Sequence, residues 1–466
     1  MIRSSALRRL GLLPLLLVSA CAVGPNYHRP AVTTPPAFKE AQGWTPAVPA
    51  DGVDRGDWWT VFGDDQLDAL EAKIDISNQN LKAAEAAYRQ ARALVAEDRA
   101  TLFPNLDLTG SATRSKRGAG AAAANSYQAA LGGSWEIDLW GKIRRTIEGA
   151  KGSAQASEAD LANARLSAQS ELAADYVQLR LADADKRLLQ ATVQAYAKSL
   201  QITQNQYKVG VAAKSDVLQA QTQLISTQAS LVDVDRQRTT AEHAIAVLIG
   251  AAPADLTIEP AADWAPKPPP TPVALPSILL QRRPDVAAAE RQAMAANAQI
   301  GVATAAFFPD LSLTGSYGFG STALKTLFNS SSAAWSYGGG AAQTVFDAGA
   351  TLAKVRGARA GYDQAVASYR QTVLTAFQQV EDALAAARVL QDEAALRQQA
   401  SASADQAEQI LLNQYRAGQV AYTSVVVAQA TALAARQSLL TVQGQRVTNA
   451  ITLITALGGG WSGQLK

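Results

Sequence analysis

Phe103-Pro104-Asn105-Leu106-Asp107-Leu108-Thr109-Gly110-Ser111 returns 205 residues later as Phe308-Pro309-Asp310-Leu311-Ser312-Leu313-Thr314-Gly315-Ser316. Two further landmarks recur at a spacing of 208. Tyr207-Lys208-Val209-Gly210 matches Tyr415-Arg416-Ala417-Gly418, and Leu248-Ile249-Gly250 matches Ala456-Leu457-Gly458. Chance similarity would not hold its spacing over three landmarks, so the chain is internally duplicated.

Outward from the repeated stretch, each copy carries the same signals. In the first, Asp64 or Asp65 caps a helix that runs from Gln66 to about Leu102, where Pro104 stops it. A hairpin over 104–139 follows. Leu106 and Leu108 alternate with Asp107 and Thr109, a Gly/Ala-rich turn covers 118–124, and Tyr127 to Leu139 carries Trp135, Ile137 and Leu139 on one parity. Such alternation fits strands with an apolar and a wet face, in a membrane barrel or in a soluble sheet. A proline-free segment from Gly141 or Lys142 to Tyr207 predicts a helix of ~100 Å. Gly210 breaks it in a turn over 208–216, and Ser215 or Asp216 caps a return helix to about Ile249. A proline-rich linker follows. The second copy repeats the scheme, with a helix from Asp285 to Phe307 and strands over Leu311–Phe319 and Trp335–Phe346 (hairpin 309–346). A long helix from Gly349 to Tyr415, a turn over 416–424 broken at Gly418, and a return helix to about Leu457 complete it.

The N-terminus reads as a targeting segment. Arg3, Arg8 and Arg9 precede an apolar run from Leu10 to Val18, then Ser19, Ala20 and Cys21. That is the order of a signal peptide, and the run is too short to span a bilayer as a helix. Cys21 is the only cysteine of the chain, and its position resembles a bacterial lipoprotein signal, which implies acylation there. Ala22, rather than an aspartate, points to the outer membrane. The chain thus divides into a signal peptide (1–20), an acylated extended segment (21–65), a first repeat (66–250), an equatorial linker (251–284), a second repeat (285–457) and a tail (458–466).

Composition removes several function classes. Net charge is +2 over 466 residues, with no long basic tract to suit a nucleic acid. With one cysteine there is no disulfide framework. His28 and His243 are the only histidines and lie far apart, which argues against a histidine metal site or a catalytic triad. No cofactor or metal site and no enzymatic activity are expected. No second apolar run reaches transmembrane-helix length. The interior is rich in Ala, Gln, Leu, Ser and Thr, which suits long helices packed through small side chains.

Geometry then constrains the whole. A return helix and a short helix placed end to end match one long helix in length. Open strand edges are not tolerated in a membrane, and four strands fall below the usual minimum for a membrane barrel. Several copies must therefore contribute. Three would give twelve strands; four would also close. Simple coiled-coil packing would also account for the long Ala-rich helices.

The chain resembles the TolC-like outer membrane factor family, of the NodT type found in resistance-nodulation-division efflux systems. The resemblance is carried by Cys21-Ala22-Val23-Gly24-Pro25-Asn26-Tyr27, by Trp58-Trp59 with Phe62 and Leu67, and by the two Phe-Pro strand starts. Trp135-Glu136-Ile137-Asp138-Leu139-Trp140-Gly141, Arg283-Pro284-Asp285-Val286, Val345-Phe346-Asp347-Ala348-Gly349 and both glycine turns extend it over the mature chain. It implies a mainly α fold with membrane β: a homotrimer with a twelve-stranded outer membrane barrel, four strands per subunit, continuous with a periplasmic α-helical barrel. The implied function is a passive duct in the outer membrane of a Gram-negative bacterium. It would meet a periplasmic adaptor protein and an inner-membrane resistance-nodulation-division pump, and carry drugs or other small toxic compounds outward. The implied adaptor-docking tip is Val209, Gly210, Val211, Ser215 and Asp216, with Ala417, Gly418, Gln419, Thr423 and Ser424. Asp405 or Leu412 would constrict the pore near it. Trp135, Trp335 and Tyr337 would sit at the membrane surfaces. A duct for type I protein secretion is the alternative on the same fold, and a non-transport coiled-coil lipoprotein scaffold is the alternative from another class.

Overall fold

The computed structural model describes residues 22–41, 56–116, 118, 122–269 and 282–459. Cys21 and the signal segment 1–20 lie outside these residues, as do the linker residues 270–281 and the tail from 460. After a 3-10 turn at Trp58–Phe62, the first half runs α1 (Asp65–Ser77), α2 (Gln79–Ala100), β1 (Asn105–Ser115), β2 (Ala124–Glu136), α3 (Lys142–Lys208) and α4 (Lys214–Leu248). The second runs α5 (Pro284–Ala305), β3 (Asp310–Ser321), β4 (Ala333–Ala342), α6 (Ala350–Arg416) and α7 (Tyr422–Ala456).

The two long helices have equal lengths of 67 residues and start alike. Gly141 and Gly349 precede them at positive φ. Asp138 accepts the Ile143 and Arg144 amides at 3.0 Å each. Asp347 accepts those of Thr351 at 2.7 Å and Gly349 at 2.9 Å. Both carboxylates thus satisfy first-turn donors that the helix itself cannot. These caps end the hairpins earlier than the alternation suggested. β2 stops at Glu136 rather than Leu139, and β4 at Ala342 rather than Phe346, because the chain must turn into its cap.

The single helix expected from Gln66 to Leu102 is two helices. Asn78 leaves the helical region (φ −59°, ψ 121°), and its Oδ1 caps α2 by accepting the Leu81 amide at 2.9 Å. The break makes room for the end of α4. Asn78 Nδ2 donates to the Leu248 carbonyl at 2.7 Å and Ser77 Oγ to that of Ile249 at 2.6 Å. The second half repeats this joint, with the Arg283 guanidinium donating to the Ala456 carbonyl at 3.0 Å. So α4 abuts α2 and α7 abuts α5, each pair running as one broken track beside a long helix.

Packing orders the tracks. α3 lies against α2, α4, α5 and α7, whereas α6 lies against α5 and α7. The order is α4/α2, α3, α7/α5, α6: a palisade of four tracks with two outer members. α7 is long and apolar enough to cross a membrane by length and composition, which corrects the reading that no second segment reached that length. Its buried Val425, Ala432, Val447, Ile451 and Leu453 are taken up within this palisade.

The strands form one antiparallel sheet ordered β1-β2-β3-β4. Leu108, Leu131, Tyr317 and Trp335 pair in one row across all four strands, and Asp107, Gly132, Ser316 and Ser336 in the next. Paired residues share a face, so one face is apolar and the other small and polar. The apolar face lies open: Leu108 is 82% exposed and Trp335 70%. Among the described residues neither β1 nor β4 has a second neighbour.

At mid-height, where α1 and the linker meet α3 and α4, lies the largest apolar cluster, with Trp58, Trp59, Leu67, Leu70, Ile74, Leu172 and Tyr176 buried. Charges are enclosed with it. Arg180, 1% exposed, donates to the Tyr176 hydroxyl at 2.9 Å, Asp183 at 3.0 Å and the Glu259 carbonyl at 2.8 Å, and also to Gln66. Asp183 also accepts from Arg238 at 2.7 Å. Tyr176 donates to Asp64, which caps α1 by accepting the Gln66 and Leu67 amides. The described part of the linker is held here by its carbonyls, with Arg187 donating to those of Ala261 and Trp264.

Candidate channel and docking sites

The two tip turns share one backbone solution. Gly210 (φ 78°) and Gly418 (φ 73°) sit one residue beyond the C-caps of α3 and α6. The next amides reach back five residues, Val211 to the Gln206 carbonyl at 2.8 Å and Gln419 to that of Gln414 at 2.9 Å. This is a Schellman closure, which glycine enters without a Cβ penalty. The return helices then begin at Lys214 and Tyr422, with Ala213 and Ala421 as N-caps. Ser215 and Asp216 are therefore second and third helical residues, not the cap. Asp216 instead reaches back to the Ala213 amide at 3.4 Å. Its counterpart Ser424 carries no charge, so the two turns differ in electrostatics. Ala417, Gly418, Gln419 and Thr423 are exposed like Gly210 and Ser215, and Val209 and Val211 are 73% and 70% exposed.

Behind the tip the two halves are tied together. Tyr196 on α3 donates to the Gln429 carbonyl on α7 at 2.9 Å, and Gln429 Nε2 donates to Ser199 Oγ at 3.1 Å. Tyr415 and Tyr422 meet across the second hairpin with ring centroids 5.0 Å apart and planes tilted by 59°, and Leu412 packs against them. Burial pushes the Tyr422 hydroxyl up to about 12. Asp405 is not a lone carboxylate. Arg436 on α7 donates to it at 2.8 Å and to Glu408 at 2.8 Å, so one guanidinium is shared by two carboxylates within one protomer.

A groove of about 1100 Å³ opens between α3, α6 and α7, where Gln178, Asp185, Gln437 and Asn449 stand among apolar Leu181, Leu390 and Leu440. On α3, Gln178 and Asp185 lie about half a turn from Arg180, Asp183 and Arg187, which face the linker. The groove therefore looks to the opposite side of the palisade. Burial raises the Asp185 carboxyl, opposed by a hydrogen bond from Gln437.

In the sheet, Trp135 lies at the foot of β2, where its indole donates to the Leu102 carbonyl at 2.9 Å. Trp335 and Tyr337 stack in parallel with centroids 5.7 Å apart on β4. Trp135 pairs with Leu313 and Trp335 with Tyr317, so they stand four residues apart along β3, about 13 Å. Among the described residues no group of His, Cys, Asp and Glu could hold a metal.

Exposed apolar strands above a palisade of long, small-residue helices are the features shared with known proteins. The profile of outer membrane efflux proteins matches residues 72–251 and 275–459. The chain belongs to the outer membrane efflux protein family. The cation efflux system protein CusC of Escherichia coli is 31% identical over 450 residues, 96% of this chain and 97% of the relative. The outer-membrane channel OprN superposes with a TM-score of 0.87 at 31% identity, covering 95% of this chain and all of that one. The Campylobacter jejuni CmeC outer membrane channel gives 0.88 at 26% identity over 95% of each chain. This efflux protein is thus an outer membrane channel component with a periplasmic helical part, and not an enzyme.

Sequence reasoning missed several of its working residues. Asp138 and Asp347 carried a signal, an acid two or three residues before a glycine that opens a long helix. The Arg436 pairing of Asp405 carried none, because 31 residues and a helix reversal separate the partners.

Proposed function

We propose that three copies of this efflux protein close into one twelve-stranded barrel on a twelve-track helical tube. That assembly is the passive outer membrane duct of a tripartite efflux pump driven by an inner-membrane resistance-nodulation-division transporter. It moves drugs or other small toxic compounds. The observation that carries the reading is the four-stranded sheet, apolar and exposed on one face, polar on the other, with both edges unpaired. A lipid phase covers the first, water the second, and only further copies satisfy the edges.

Acylation of Cys21 fits the same placement. The Val23 amide donates to the Trp140 carbonyl at 2.9 Å, which holds the start of the described chain at the foot of the sheet. Trp135 takes that surface, and Trp335 with Tyr337 the lipid face further up. The tip residues named above form the adaptor-docking surface, with exposed Val209 and Val211 as its apolar contacts. The duct narrows just above, at the level of Leu412 and Asp405, six and thirteen residues before Gly418, about 9 and 20 Å along the helix. An aspartate ring there acts only after the Arg436 pair opens.

Purified protein in planar bilayers tests the duct. Ion-conducting channels are expected, with conductance raised when Arg436→Ala loosens the second hairpin. A protein that inserts but never conducts, in wild type and variant alike, overturns the reading. In-cell cross-linking from a cysteine at Gln419 distinguishes efflux, by capture of a drug-efflux adaptor, from type I secretion, by capture of the adaptor of an ATP-driven exporter.

A further inference from the structure

A second groove, of about 420 Å³, lies between α2 and α3 of one protomer, and it is basic. Arg92 and Arg99 border it from α2, seven residues apart and so on one face of that helix. Lys151 borders it from α3, and Glu158 is the one acid among its described lining residues. All three cations are exposed. Arg92 lies over the Tyr88 ring, 5.8 Å from its centroid, which sets its stem along the groove. Among the described residues neither Arg99 nor Lys151 has a carboxylate within ion-pair distance. Arg89, outside the groove on the same helix, is paired with Glu85 at 3.9 Å. Gln155 also lines the groove, and its buried Oε1 accepts no hydrogen bond from the described residues. A buried acceptor calls for a donor.

The groove sits directly under the sheet. α2 ends at Ala100, five residues before β1. α3 begins at Lys142, whose ammonium meets Glu136 at the end of β2 at 3.1 Å and Asp310 at the start of β3 at 3.3 Å. Measured down the axes from those helix ends, Arg99, Arg92 and Lys151 lie at about 2, 12 and 14 Å. The headgroup layer on each side of a bilayer is about 5–8 Å deep, and long Arg and Lys stems let the charged heads rise into it. The groove opens on the face that carries the N-terminal strap, residues 22–41. Gln155 stands two turns below Glu148, which accepts from Arg145 at 2.7 Å, and Arg145 also holds the Val23 and Gly24 carbonyls of the strap. The wide groove beside Gln178 and Asp185 looks the other way. In the reading above the strap follows an acylated Cys21, which lipid must receive, so the strap face is the outer side of the duct.

We propose that this groove binds an anionic phosphoglycerol headgroup of the periplasmic leaflet, phosphatidylglycerol or diphosphatidylglycerol. This rests on the reading that the sheet crosses a membrane. Arg92 and Arg99 meet phosphate oxygens with their planar forks, and Lys151 adds a point charge. A glycerol hydroxyl supplies the donor that Gln155 Oε1 calls for. An ethanolamine headgroup also offers donors, but its ammonium would enter beside three cations, so the groove selects against zwitterionic lipid. The bound lipid ties the α2–α3 pair to the bilayer at the level where helices give way to strands.

Native mass spectrometry of the full-length protein, purified from membranes in mild detergent, tests the site. Phosphatidylglycerol, diphosphatidylglycerol or phosphatidylethanolamine is added, and the lipid retained per protein is counted as collision energy rises. Wild type is expected to retain both anionic lipids in preference to phosphatidylethanolamine. Arg92→Gln, Arg99→Gln and Lys151→Gln are each expected to weaken anionic retention by about fivefold, and the triple variant to abolish the preference. Lys151→Arg and Arg89→Gln are expected to keep it. Inorganic phosphate in large excess is expected to leave the lipid in place; displacement would reassign the groove to a free anion and overturn the lipid. Equal retention of all three lipids by wild type overturns the site, as does a preference that survives the triple variant. Planar bilayers keep this apart from the duct reading, because wild type and triple variant are expected to conduct alike. Conductance without lipid preference overturns the site and leaves the duct, whereas insertion without conductance in both overturns the duct.

Discussion

Glu71 on α1 is 1% exposed, and neither carboxyl oxygen has a hydrogen-bond partner among the described residues. Burial, with Asp75 and Asp68 adding, pushes its carboxyl up from 4.5 to about 9. The folded chain therefore keeps a proton that the unfolded chain releases. The associated stability is fully present below pH 4.5 and is lost as pH rises from there towards 9. Glu71→Gln keeps the shape and removes the titration. It is expected to stabilise the fold by about 2–3 kcal/mol at pH 7 and to flatten the pH dependence between 5 and 8. Denaturation midpoints of both proteins at the two pH values decide; equal slopes count against it. Gly418 is a second point where one residue type is required. Its positive φ charges any Cβ about 1–2 kcal/mol. Gly418→Ala is expected to loosen only the last turn of α6, seen as faster amide exchange over residues 414–422 with the rest of the chain unchanged.

At the scale of elements, the legible parts were those written in local physics. The prolines before β1 and β3, the period-two alternation of Leu106 and Leu108, and the glycines at 210 and 418 each act on their own few residues, so a sequence shows them. The break at Asn78 was not legible. Gln79–Ala100 continues the helical pattern, and only the arrival of α4 from 170 residues away supplies the Leu248 carbonyl that Asn78 Nδ2 answers. The Arg436–Asp405 pair and the Arg180 network are hidden for the same reason. That network also sets a prediction. Arg180 joins α1, α3 and the linker while buried, so Arg180→Ala leaves Asp183 and the Glu259 carbonyl short of a donor. A loss of about 3–5 kcal/mol is expected, read as a lowered unfolding temperature together with protease cleavage in the linker after Ile258. An unchanged linker would show that the apolar cluster alone holds it.

At the scale of the whole molecule, the sheet and the proposed acyl anchor would hold the protein to one membrane with different strength. The sheet presents four strands of 10–13 residues, long enough to cross an outer membrane when tilted. A closed barrel of such strands does not leave the bilayer at equilibrium, whereas acyl chains on one residue add a finite anchor. The N-terminal segment adds something else. From the foot of the sheet it descends along the helices. Arg145 holds the Val23 and Gly24 carbonyls, Phe38 packs edge-on against Phe377, and Glu381 accepts the Lys39 and Glu40 amides at 2.7 and 2.9 Å. An anchor at Cys21 would therefore pull on a strap already fastened to α3, α5 and α6, and orient the protomer at the membrane before the barrel closes. Acylation there would then govern delivery and the rate of assembly rather than retention. Cys21→Ser behind a compatible signal is expected to give assembled outer membrane protein in reduced amount, with single-channel conductance unchanged. Fractionation and unheated gels measure the first and planar bilayers the second. Complete loss of the assembled species would return the main anchoring role to the lipid.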